Sequence, residues 1–120
     1  MFDDAFSDAA LARASIPMLT IVMVRKVPLD DYVTETLMPD LIGHDRMPSA
    51  FIVFVKLWQD AGGPARRLEV SLSTLAVETG LSKSSVQAAL RQLRKRGFLA
   101  TKRASPTAIP VHTVLAPWRG

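Results

Sequence analysis

The 120-residue sequence predicts an α+β fold, mainly helical with a small β-hairpin, carried behind an N-terminal α/β extension. Three observations lead there. Apolar residues recur at three- and four-residue steps in segments 48–61, 72–79 and 83–96, each opened by a proline or a serine and followed by a glycine. Beyond Gly97, two runs rich in strand-forming residues, 98–103 and 111–115, flank a loop holding Pro106 and Pro110. Apolar residues make up 48% and charged residues 22%, which suits one globular domain, or a small domain with an extension, divided here into 1–47 and 48–120.

Taken in order, residues 2–14 are rich in alanine and aspartate and predict a helical turn or two. Met18 to Val24 reads as a short buried strand, because β-branched residues dominate it and Pro17 breaks any helix before it. Asp30 or Asp31 is expected to cap a short helix through Leu37 that Pro39 stops. Pro48 suits the first turn of the next helix, which Gly62-Gly63-Pro64 ends near Ala61. On it Ala50, Phe51, Phe54, Val55 and Trp58 form one stripe while Ile52, Val53 and Leu57 fall opposite, so it is apolar almost all round. It is expected to be a central helix sandwiched between the N-terminal segment and the C-terminal half, with a dimer contact through one face as the alternative. Arg67 to Val70 is a brief strand, and Ser71 and Ser82 cap the two following helices.

Net charge is +4 but unevenly divided. Residues 1–63 hold five Lys and Arg against nine Asp and Glu, whereas residues 64–120 hold ten against only Glu69 and Glu78. A half this basic attracts a polyanion, because each phosphate it neutralises releases condensed counterions. Nucleic acid is the first expectation, ahead of an anionic membrane surface. With no cysteine, disulfides, thiolate zinc sites and cysteine nucleophiles are excluded, in keeping with a cytoplasmic location. The apolar run Ile16 to Val24 holds Pro17 and Thr20, falls short of the roughly 20 residues of a membrane helix, and follows acidic residues. Neither a membrane span nor a signal peptide is expected.

The most informative segment is Leu72 to Leu90, where small and apolar residues stand where two crossed helices need them. Ala76 lets the second helix approach the first, Gly80 takes the positive φ of a tight turn, Leu81 plugs the gap, and Val86 and Leu90 face the core. That leaves Lys83, Ser84, Ser85, Gln87, Ala88, Arg91 and Gln92 outward, a mixture of donors, acceptors and small residues able to lie against base edges. The stretch resembles the helix-turn-helix of bacterial winged-helix regulators, the broad group of MarR-like and GntR-like repressors and of some replication-initiator modules, over roughly residues 48–115. The resemblance implies that helix 83–96 enters the major groove, that Ser82 to Gln92 supply its readers, and that the wing at 102–110 lies on the backbone or minor groove. Gln87 and Arg91 are the preferred base readers. Arg94, Lys95 and Arg96 have hardly any acid nearby and are assigned to phosphate rather than to a merely solvated face, with Lys102 and Arg103 of the wing beside them. Ser84 and Ser85 stay open between cap helpers and DNA contacts.

The remaining signals have plainer explanations. Trp58 is expected in the core and Trp118 as an aromatic lid on it rather than a base-stacking platform. His44 and His112 lack metal-ligand spacing, Asp30, Asp31, Asp40 and Asp45 are explained by capping and loop solvation, and Gly62-Gly63-Pro64 lacks the lysine and hydroxyl of a phosphate-binding loop. No enzyme signature is found, and no cofactor or metal is expected. The sequence thus predicts a double-stranded DNA binder in transcriptional regulation, acting as a homodimer through its N-terminal extension, with any small-molecule effector unspecified. Alternatives are a winged-helix adaptor for proteins and the DNA-binding module of a replication or partition protein.

Overall fold

The computed structural model describes residues 26–119. The helical turns expected at 2–14 and the strand Met18 to Val24 lie outside those residues. Three helices and three strands follow a pair of N-terminal helical turns: α1 (Pro48–Ala61), β1 (Arg67–Glu69), α2 (Leu72–Thr79), α3 (Lys83–Lys95), β2 (Leu99–Lys102) and β3 (Val111–Val114).

Around α1 the apolar pattern is resolved within one chain. Ala50, Val53, Phe54, Leu57 and Trp58 are all buried, Phe51 and Val55 are half-buried, and Ile52 is 43% exposed. On one side α1 packs on α3 and α2; on the other, Trp58 donates its indole N–H to Pro28 O at 2.8 Å and Gln59 donates to Val27 O at 3.0 Å. Val33, Leu37 and Leu41 of the N-terminal segment join the same core as Val86, Leu90 and Leu93 of α3. Aromatic rings close it off: Phe54 lies 6.1 Å from Phe98 edge-on, and Trp118 stacks 4.5 Å from Tyr32 and 6.2 Å from Trp58. The lid expected of Trp118 is what is observed.

Two expectations for the N-terminal turns are corrected. Pro39 does not stop the helix: backbone winding continues through it, with π-helical turns at Val33–Leu37 and Asp40–His44. Pro39 keeps its natural φ of −65° at ψ −27°, and the wider turn bonds each carbonyl five residues on, as in Asp45 N–H to Asp40 O, easing the ring's clash with the preceding turn. Nor does a carboxylate of Asp30 or Asp31 cap the first turn. Asp30 instead binds Arg119 through both oxygens at 2.7 Å and accepts the indole N–H of Trp118, tying the start of the described chain to its end.

Glycine decides the two sharp reversals. Gly80 at φ 80° ends α2, and Gly97 at φ 81° turns the chain from α3 into β2, while Phe98 N–H returns to Leu93 O at 2.9 Å. Between α2 and α3 the buried Ala76 and half-buried Leu81 fill the crossing as expected. β2 and β3 form the hairpin, and β1 adds to its far side to give an antiparallel sheet of order β1-β3-β2. The register pairs Leu68 with His112 and His112 with Thr101, so these three share the face turned inward; Arg67, Thr113, Ala100 and Lys102 share the outer one. Helix, strand, two crossed helices and a hairpin in this order are a winged helix-turn-helix, the α+β class expected.

Phe54 of α1 meets the rings of Phe98 and Trp118 across the core. Phe54→Ala is expected to lower the unfolding free energy by about 3–5 kcal/mol, the range for an emptied aromatic site, measured by urea denaturation.

Candidate nucleic-acid interface

The outward stripe of α3 is set by its buried one. Val86, Ala89, Leu90 and Leu93 turn into the core, which leaves Lys83, Ser84, Gln87, Arg91, Arg94 and Lys95 exposed. Ser84, Gln87, Arg91 and Arg94 follow one another at three- and four-residue steps along the helix. Lys83, Arg91 and Lys95 form no ion pair among the described residues, so a row of full positive charge faces outward.

The serines at the helix start are engaged with each other. Ser82 Oγ accepts the Ser85 backbone N–H at 3.1 Å and lies within 3.2 Å of both the Ser84 and Ser85 hydroxyls. The cap role is therefore observed for Ser82 and Ser85; Ser84 stays exposed, and Ala88 is half-buried.

At the other end of α3 the expectation needs correction. Arg96 is not free for phosphate: its guanidinium is held by Asp45 at 2.5 Å and by Asp40, and it lies 5.5 Å over the Phe98 ring. Gln92, expected among the readers, is half-buried and donates to Asp45 Oδ2 at 2.8 Å. Asp40 and Asp45 stand five residues apart, one π-turn, so the N-terminal segment brings both carboxylates to one side, against the end of α3. Burial alone would raise the Asp45 carboxyl, but hydrogen bonds from His44, Gln92 and Arg96 hold it below the usual range. Asp40, His44 and Asp45 also lie close enough together to hold a metal ion, yet both carboxylates already face Arg96.

Alternation along β2 separates the two wing cations. Arg103 lines a cleft of roughly 390 Å³ between α3 and the hairpin, together with Gln87, Arg91 and Arg94. Lys102 lies instead on the outer face of the sheet, in a shallow depression that it shares with Arg67. Arg67 was not singled out from the sequence, because only pairing of β1 with β3 brings it to this face. The same pairing hides His112, which is 2% exposed beneath α3 with Nδ1 2.9 Å from Thr101 Oγ1. Burial, then the positive charges of Arg94 and Arg103, push its imidazole down to about 4.

With this geometry in place, a model of the IclR helix-turn-helix domain matches residues 63–103, from the start of the β1 approach to the edge of the wing. The match supports a bacterial helix-turn-helix DNA-binding regulator and does not single out the MarR-like or GntR-like groups. Neither the curated proteins nor the solved structures gave a match to the chain. No helix among the described residues is long and apolar enough to cross a membrane.

Two outcomes follow from these side chains. His112 is neutral when folded, with its value lowered from 6.5 to about 4, so between those values the unfolded chain binds more protons. Stability is then fully present above pH 6.5 and declines as pH falls towards 4, by on the order of 3 kcal/mol; urea midpoints across this range check it, with His112→Gln removing the decline. For the acid pair, Arg96→Met is expected to cost about 2 kcal/mol by stranding the Asp45 charge. A double-mutant cycle with Asp45→Asn should recover part of that loss.

Proposed function

We propose that this chain reads double-stranded DNA as a transcriptional regulator, with α3 in the major groove and the hairpin beside it on the backbone or minor groove. The observation that supports this most is the stripe Ser84, Gln87, Arg91 and Arg94, exposed on a helix whose opposite face is buried and with no acid along it. Gln87 and Arg91 sit at mid-helix, where a groove-bound helix meets base edges, and their amide and guanidinium suit adenine and guanine respectively. Arg94 and Lys95 lie nearer the helix end, where the phosphate backbone rises. Lys83 and Ser84 extend the contact at the other end, and Arg103 reaches backbone from the wing. Lys102 and Arg67 line one depression on the outer sheet face, where Glu69 stands in the same cross-strand row as Lys102, and are suited to flanking phosphate. Ser82, Ser85, Ala88 and Gln92 have supporting places in the helix, its cap and its docking.

A cytoplasmic homodimer on twofold half-sites belongs to the same proposal, with its interface in the extension 1–47. The two-sided apolar pattern of α1 is not its support, since folding within one chain covers, wholly or in part, every residue of that helix but Pro48 and Ile52.

Selection of bound sequences from a random duplex pool supplies the target. Against it, Gln87→Ala and Arg91→Ala are expected to cost about 1–3 kcal/mol of discrimination over random duplex. Arg94→Ala and Lys95→Ala should weaken target and random duplex alike and each reduce the salt slope by about one. Duplex affinity that is unaffected by salt and by all four substitutions overturns the reading.

A further inference from the structure

We propose that the cleft between α3 and the β2–β3 hairpin is a discrete binding site for one phosphate group, held by Arg94 and Arg103 over the imidazole of His112, with Arg91 at its rim left to the base edges. Three guanidinium-bearing side chains line this cleft and no carboxylate does. Arg94 reaches across it to place Nη1 3.4 Å from Thr101 Oγ1, and Thr101 in turn lies 2.9 Å from His112 Nδ1. With Thr101 accepting from Arg94 and donating to Nδ1, the ring proton belongs on Nε2. That atom is buried and has no partner among the described residues.

A buried N–H without an acceptor and a group of like charges are each unfavourable on their own. A single anion in the cleft relieves the second directly, and the first once a small shift of the His112 ring opens Nε2, which is closed to water as it stands. Phosphate fits better than a carboxylate, because its oxygens are tetrahedrally disposed and can meet donors converging from the helix, the hairpin and the floor at once. The walls are not wholly polar: Leu72, Leu90 and Pro110 line the same cleft, so a phosphate seated there is partly shielded from water. Arg94 on α3 and Arg103 beyond β2 are the charges that depress the imidazole, and an anion between them opposes that depression.

The chemistry has two sources, a backbone phosphate of duplex DNA and a free phosphate compound. The site itself does not depend on the DNA reading, but the first source rests on it. The test is titration of the isotopically labelled full chain with inorganic phosphate at constant ionic strength, against chloride, following the His112 ring by NMR. Phosphate should shift the ring resonances and raise the midpoint of their pH titration above about 4. Arg94→Gln and Arg103→Gln should each weaken phosphate about tenfold, as expected for loss of a charged hydrogen bond. A ring that responds to neither phosphate nor duplex, or equally to phosphate and chloride, overturns the site. A duplex that moves His112 and is displaced by phosphate supports the backbone as occupant. Phosphate binding with no duplex response at His112 supports the free compound. Phosphate binding with no duplex binding at all sinks the DNA reading and leaves the site standing.

Discussion

α1 has too many apolar residues for a helix with a solvent face, and the architecture follows from covering it. A half-apolar helix needs one partner; this one needs two. α3 and α2 cover one side, and the segment around Pro28, with the turns bearing Val33, Leu37 and Leu41, covers the other. Trp58 shows why the second cover is specific rather than greasy: its ring is buried, and its N–H must find an acceptor, which Pro28 O provides. Once α1 is enclosed, the position of α3 is determined, because its stripe of Val86, Ala89, Leu90 and Leu93 has to meet that same helix.

Charge is sorted by the same packing. The acidic residues of the N-terminal part and the basic residues of the C-terminal part are not simply two ends of a polar chain. Asp40 and Asp45 fold back onto Arg96 and Gln92, and Asp30 onto Arg119, so the acids neutralise cations at the rim of the core. Lys56 does likewise between Asp60 and Glu78, joining α1 to α2. Among the cations left unpaired in the described residues, the largest group lies along the outer stripe of α3 and on the sheet, with Arg46 and Arg66 exposed elsewhere. A surface that gathers unpaired positive charge on one helix face and the sheet beside it is what a polyanion would meet.

The sheet contributes more than a wing. Because β1 joins the outer edge of β3, strands distant in sequence share faces: Arg67 with Lys102 outside, and Leu68, His112 and Thr101 inside. The hairpin is thereby anchored to the chain entering α2, which gives the cleft beside α3 a defined floor. His112 is held there neutral beneath two arginines, with its Nε2 buried and without a partner among the described residues.

Much of this was legible in order of residues. Caps at Ser71 and Ser82, glycines at 80 and 97, and the spacing of Val86, Leu90 and Leu93 specify helix, turn and helix through interactions within a few residues of one another. The exposed stripe of Gln87, Arg91 and Arg94 follows directly from that periodicity, as does the hairpin from its paired β-rich runs. What local pattern does not contain is which distant groups meet. The continuation of winding through Pro39 depends on a π-turn, the removal of Gln92 and Arg96 from the outer face depends on Asp45, and the divergence of Lys102 from Arg103 depends on strand register. Sequence alone determined the elements and the face that α3 presents, because periodicity and capping are short-range. Only the tertiary structure decided which of its cations remain unpaired, because pairing across 51 to 56 residues is set by how the core closes around α1.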